Sequence, residues 1–176
     1  GFGTFVTGGS NANLVAMLAA RDRIYPRSKN KGLFDNKILC AFVSRESHYS
    51  YIKAGYQLGI GIDQIIRVSC DQTGHMDPNA LSTEITNAID GGKTPFFVGA
   101  TAGTTIRGVF DPIEKINEIC KSHDLWFHID GSWGGSVMLS NKHRELLKGC
   151  KDSDSFAWCA HKMMGVPLVC TVILMK

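Results

Sequence analysis

The sequence has little that would tie it to a membrane or to nucleic acid. No apolar run approaches the roughly 20 residues that a membrane span needs; Val169 to Met175 is among the longest. Formal net charge is only +3, with Lys and Arg scattered along the chain. The nearest approach to a basic cluster, Arg27-Ser28-Lys29-Asn30-Lys31, reads as a solvated loop rather than a nucleic-acid patch. None of the six cysteines (40, 70, 120, 150, 159 and 170) forms a C-x-x-C pair with another, which argues against a zinc ribbon or a thioredoxin-type motif. Most lie in apolar stretches as small buried hydrophobes, which fits a reducing, cytoplasmic location. Internal repeats, low-complexity tracts, an obvious linker, a signal peptide and a targeting segment are all missing. The chain opens without Met, in what reads as the middle of a motif, and closes on a predicted strand. Both ends are therefore expected to be cut from something larger.

What is present is an alternation of short apolar runs and amphipathic segments. At 176 residues the chain suggests one domain with enough length to bury a core. Ser10 is placed to cap a helix running to about Ile24, with Leu14, Val15, Leu18 and Ala19 on one side and Pro26 as its stop. Strands are predicted at Lys37 to Val43, Gln64 to Val68, Pro95 to Ala100, Leu125 to Ile129, Ser155 to Trp158 and Val169 to Met175. Between them, helices are predicted over His48 to Leu58, from Pro78 to Gly91, along the stripe Ile113, Ile116, Ile119 and Cys120, and over Asn141 to Lys148. Asp77-Pro78 and Asp111-Pro112 each read as a cap followed by proline at the first helical position. Strand alternating with helix implies an α/β fold, a mostly parallel sheet with helices on both faces. Ligands in such folds sit outside the carboxyl ends of the strands.

Five polar groups fall at or near those ends. They are Gly8-Gly9-Ser10 before the first helix, Ser44 to His48, Thr101 to Thr105, Asp130, and His161-Lys162. Each has a plain structural reading as loop, cap or solvated charge. Together they match what a pyridoxal-phosphate (PLP) enzyme requires. Such an enzyme needs a lysine for a Schiff base with the cofactor aldehyde, and a carboxylate against the pyridine nitrogen. It also needs a flat group over the ring, and a helix N-terminus with hydroxyls for the phosphate. Lys162, Asp130, His48 and Gly9-Ser10 can each fill one of these places. His128 and Asp130, two apart on a strand, point to the same side, but two ligands are too few for a metal site and none is expected.

The stretches TGGSNANLVAMLAARDR (7–23), SRESHYSYIKAG (44–55), PFFVGATAGTTIRGVFDPI (95–113), LWFHIDGSWGGSVMLSNKHRELLKG (125–149) and DSFAWCAHKMMGVPLVC (154–170) carry a resemblance. In this order they resemble the group II PLP-dependent amino-acid decarboxylases, most closely the glutamate and cysteine sulfinate decarboxylases. The resemblance implies the large PLP-binding domain of fold type I, with residues 1–176 as its central part. It implies a homodimer in the full-length protein, with a small C-terminal domain, an N-terminal segment and a mobile loop outside this stretch. It implies that Lys162 forms the Schiff base, Asp130 holds the pyridine nitrogen and His48 stacks on the ring. Gly9 and Ser10 would contact the phosphate, Thr104 would lie near ring and substrate, Ser132 beneath the ring, and His161 beside phosphate and Schiff base. The implied reaction is loss of CO₂ from a small amino acid, with an acidic substrate (glutamate, cysteine sulfinate or aspartate) favoured and a diamino acid still open. Two positions depart from the family pattern. Cys159-Ala160 stands where Asn-Pro is usual before His-Lys, and Gly131-Ser132 where Ala-Ala is common. A PLP-binding or partner-binding fragment without turnover is the second reading, and a different PLP reaction on the same fold the third.

Overall fold

The computed structural model describes residues 1–33 and 37–176. Seven strands form one sheet: β1 (Phe2–Val6), β2 (Ile38–Ser44), β3 (Ile65–Val68), β4 (Lys93–Thr101), β5 (Trp126–Gly131), β6 (Ser155–Cys159) and β7 (Thr171–Met175). Their order is β1-β7-β6-β5-β4-β2-β3. Strands β2 to β6 are parallel, and β7 runs antiparallel to both β6 and β1. The mostly parallel α/β expectation is met. The β1–β7 pairing was not anticipated, because Phe2 to Val6 reads as no element on its own.

Helices α1 (Gly9–Ile24), α2 (Ser28–Lys31), α3 (Ser50–Gln57), α4 (Pro78–Asp90) and α5 (Ile113–Ser122) complete the layers. Side chains alternate across a strand, so β2 splits its residues between two cores. Cys40 and Phe42 join Leu81 and Ile85 of α4 and Ile116 of α5 on one face. Leu39, Ala41 and Val43 join Ala16 and Met17 of α1 and Tyr51 of α3 on the other. A sheet covered on both faces explains why β2, read as ILCAFVS, is nearly all apolar. The pairing of β2 with β4 shifts register between Cys40 and Ala41, opposite Pro95 and Phe97. Proline lacks the N–H for a ladder bond, so the irregularity falls where the ladder is already weak.

Several local expectations are corrected. Ser10 is not the cap of α1: Gly8 occupies that position with no side-chain bond, and Ser10 lies in the first turn. The buried face of α1 is Ala12, Asn13, Ala16, Met17 and Ala20, whereas Leu14, Val15, Leu18 and Ala19 are only partly buried. Small residues four apart let the helix lie close on the sheet, so large apolar residues are not what marks its inner face. Asp77 does cap α4, accepting from the Asn79 N–H at 2.8 Å. Asp111 does not cap α5; Pro112 takes that place and the Asp111 carboxylate points inward. The segment 141–148 is not an α-helix but turns with a short 3₁₀ stretch, Arg144–Leu147. Residues 28–31, read as loop, form the single turn α2. Among the described residues no helix is long and apolar enough to cross a membrane.

Candidate active site

Because β2, β4, β5 and β6 are parallel, their carboxyl ends share one edge of the sheet. Ser44, Thr101, Gly131 and Cys159 end these strands. The N-terminus of α1 arrives at the same edge. A Cβ built on Gly9 would lie 2.5 Å from Ser132 Oγ and 3.4 Å from Cys159 Sγ, so only glycine lets the helix start this close to the strand ends. The result is a pocket of about 190 Å³ lined by Gly9, Ser10, His48, Thr101, Gly103, Thr105, Asp130, Ser132, Trp133 and Lys162. All five strand-end groups contribute to it.

Asp130 is buried in β5 with both carboxylate oxygens engaged. Oδ1 accepts from the Ser132 N–H at 3.0 Å, and Oδ2 accepts from Asn13 Nδ2 at 2.8 Å. Asn13 Nδ2 also donates to Ser50 Oγ at 2.9 Å, and Asn13 Oδ1 lies 2.9 Å from His128 Nε2. His128 Nδ1 lies 2.8 Å from Ser155 Oγ, which also accepts from Trp126 Nε1 at 2.8 Å. Burial pushes the His128 imidazole well below its ordinary value, against the pull of Asp130, so it is neutral near pH 7. His48 is half-buried and accepts the Ser50 N–H on Nδ1 at 3.2 Å. Burial lowers its pKa too; Asp130 opposes that shift, and Lys162 and Lys53 reinforce it. Lys162 Nζ stands 5.9 Å from the centroid of the Trp133 ring.

The expected site residues separate into two groups. Gly9, Ser10, His48, Asp130, Ser132 and Lys162 line the one pocket. Thr104 and His161 do not. Thr104 Oγ1 accepts the Val109 N–H at 3.1 Å inside its own loop, and Thr101, Gly103 and Thr105 face the pocket in its stead. His161 Nδ1 accepts the Cys170 N–H at 3.1 Å, on the side of the chain leading into β7. Asn13 and Trp133 are not singled out by the sequence, and Thr101 only as the first member of the group Thr101 to Thr105. Trp133 lies inside a motif, whereas Asn13 is a polar residue on a helix face that periodicity assigns by its apolar members.

The pocket suits a phosphorylated aromatic aldehyde. Ser132 Oγ and Thr101 Oγ1 are buried, and both residues line the pocket; among the described residues neither atom has a hydrogen-bond partner. Buried hydroxyls left unpaired cost free energy, and a bound polar group would satisfy them. A helix N-terminus, a buried carboxylate, an imidazole and an amine surround the same space. At the departures from the family pattern, Cys159 is buried and its sulfur accepts from Thr171 Oγ1 at 3.2 Å. The turn that follows closes without proline, through Lys162 N–H to Cys159 carbonyl at 3.1 Å and Ala160 N–H to Cys170 carbonyl at 2.9 Å. Among the described residues no group of three or more His, Cys, Asp or Glu side chains is placed to hold a metal ion.

The fold and the pocket at its strand ends are those of an α/β protein whose site suits PLP. Comparison with known proteins narrows this to one family. The pyridoxal-dependent decarboxylase conserved domain matches residues 1–176, and the chain belongs to that family. Its fold is similar to that of mouse CSAD, with TM-score 0.98 and 44% identity over 99% of this chain and 37% of that one. It is also similar to the glutamate decarboxylase domain of a Vibrio parahaemolyticus diaminobutyrate-pyruvate transaminase and L-2,4-diaminobutyrate decarboxylase, with TM-score 0.89 and 31% identity over 98% of this chain and 39% of that one. Oryza sativa TDC, solved with PLP and tryptamine, follows with TM-score 0.91 and 27% identity over 99% of this chain and 37% of that one. The chain thus spans under two-fifths of the length of these relatives.

Proposed function

We propose that this chain is the cofactor-binding part of an amino-acid decarboxylase and that Lys162 carries the cofactor. One observation bears most of the weight. Lys162, Asp130, His48 and the N-terminus of α1 line one pocket, beside the two unpaired hydroxyls of Ser132 and Thr101. When bound, PLP supplies an electron sink for the bond broken at the substrate Cα. The protein's part is to hold and orient. Lys162 supplies the amine for the aldehyde. Asp130, with one N–H donor already on each oxygen, offers its remaining lone pairs to a protonated ring nitrogen. His48, kept neutral by burial, presents a flat face without adding a charge. The amides at Gly9 and Ser10 offer donors to a phosphate at the start of α1. Ser132 and Thr101 supply hydroxyls.

Likeness to mouse CSAD at 44% identity supports an acidic substrate, cysteine sulfinate first among glutamate, cysteine sulfinate and aspartate. Exposed Phe5, Ile106 and Leu168 favour burial against further chain or a second copy. A reading without turnover draws on Cys159, since a thiol is a poorer hydrogen-bond donor than an amide. The test is reconstitution. PLP added to the purified protein should give a visible absorption band, and borohydride reduction should leave a pyridoxyl group on Lys162 that Lys162→Ala abolishes. Label spread over surface lysines would refute the assignment of Lys162. Release of CO₂ from cysteine sulfinate decides between turnover and binding alone.

A further inference from the structure

Asn13 lies at the centre of a buried chain of hydrogen bonds whose direction is set from the carboxylate end. The Asp130 carboxylate only accepts, so the Asn13 carboxamide turns its N–H groups to Asp130 Oδ2 and Ser50 Oγ, at 2.8 and 2.9 Å. Its oxygen then faces His128 Nε2 at 2.9 Å, and the neutral ring carries its proton there. His128 Nδ1 is left as an acceptor for the Ser155 hydroxyl at 2.8 Å, whose oxygen also accepts from Trp126 Nε1 at 2.8 Å. Rotated the other way, Asn13 would set its oxygen against the Asp130 carboxylate and its N–H against the Nε2 proton of His128, which is repulsive at both contacts. Asn13, His128 and Ser155 are all buried, so water does not compete for these bonds.

We infer that Asn13 is a positioning residue: its carboxamide, bridged between His128 Nε2 and Asp130 Oδ2, fixes the Asp130 carboxylate in the orientation that meets the ligand. The chain Trp126–Ser155–His128–Asn13 therefore sets the aim of Asp130 from the face of the sheet that α1 covers, without lining the pocket. The inference rests on the proposed role of Asp130 toward a ring nitrogen. It goes beyond that role in naming what holds the carboxylate and why a neutral histidine is needed two residues before it on β5.

The test compares variants that change donors with variants that only change volume. In the intact PLP-loaded protein, Asn13→Leu and His128→Leu should release cofactor about tenfold faster or more, the size expected for losing a hydrogen bond to a charged group. His128→Gln, which retains a donor toward Asn13, should stay within about threefold of wild type if the donor is the feature that matters. In the unloaded protein, ¹⁵N spectra of wild type should show His128 as the Nε2–H tautomer. The ¹³C resonance of the Asp130 carboxyl should move in Asn13→Leu. An unmoved Asp130 resonance, or equal cofactor release in His128→Gln and His128→Leu, would overturn the inference. If wild type takes no cofactor at Lys162, the proposed function fails, and the Asp130 resonance alone decides the role of Asn13. If Asn13→Leu does not fold, the two His128 variants decide it.

Discussion

Asp111 closes the end of β4: its Oδ2 accepts the Thr101 N–H at 2.7 Å, while its Oδ1 accepts the Met76 N–H at 2.7 Å. One buried carboxylate thus ties the pocket strand to the turn before α4. Burial pushes the Asp111 carboxyl up from 3.8 to about 6, opposed by those same two N–H groups. An acid whose folded pKa lies above its unfolded one holds its proton more tightly when folded. Stability from this group is therefore greatest below the unfolded value and declines as pH rises through about 6. Urea midpoints of wild type should fall between pH 4.5 and pH 7 relative to Asp111→Asn, in which this titration is gone. At pH 4.5 the variant should be less stable by about 2 kcal/mol, because a carboxamide accepts on one side only and orphans one of the two N–H groups, and the gap should narrow as pH rises to 7. Parallel midpoints for the two proteins would remove the titration from Asp111.

Asp77 and Asp111 stand in the same dipeptide, Asp-Pro, ahead of a helix, yet only Asp77 caps. Asp77→Ala should cost about 1 kcal/mol in thermal or urea unfolding, the usual size for a lost N-cap, and leave cofactor binding unchanged. A cost near zero would mean that Pro78 and packing alone start α4.

That contrast shows which parts of the molecule were legible in its sequence. Local devices could be read: the Asp77 cap, the apolar runs of buried parallel strands, and the polar groups following β2, β4, β5 and β6. The rule that such groups gather at one sheet edge then put six of the eight expected site residues in one pocket. Long-range claims on a side chain could not be read. Asp111 is drawn from its helix by the N–H of Met76, 35 positions earlier, and Asn13 is paired with Asp130, 117 positions later. Asn141 to Lys148 has helical composition, but too few residues to hold a helix without packing, and only Leu147 there is buried.

Ser132 Oγ is buried without a partner and should cost the unloaded protein stability. Ser132→Ala removes that burden while retaining the N–H that Asp130 accepts. The unloaded variant is expected to match or exceed wild type, by up to about 1 kcal/mol, in urea unfolding. Its affinity for PLP should fall several-fold if the hydroxyl meets the ligand. A variant weaker in both measurements would show that the hydroxyl already has a role in the unloaded fold.

Gly9 and Ser132 touch so closely that their effects cannot be independent. A methyl group on Gly9 would meet Ser132 Oγ at 2.5 Å, Ser132 Cβ at 3.2 Å and Cys159 Sγ at 3.4 Å. Gly9→Ala must therefore push the start of α1 away from the strand ends or drive the Ser132 side chain into the pocket. Either movement displaces the amides offered to a phosphate, and PLP affinity should fall about tenfold or more. Alanine favours helix over glycine, so unfolding alone would hide part of the strain. Removing the obstacle tests the cause. In Gly9→Ala/Ser132→Gly the Oγ and Cβ contacts are gone, and of the three nearest atoms the Cys159 sulfur at 3.4 Å remains, an ordinary van der Waals distance. If the clash is the mechanism, the double variant binds PLP better than Gly9→Ala, although each single change weakens binding. That sign reversal is what coupled neighbours give in a double-mutant cycle, and simple addition of the two losses would place the effect of Gly9→Ala elsewhere than at Ser132.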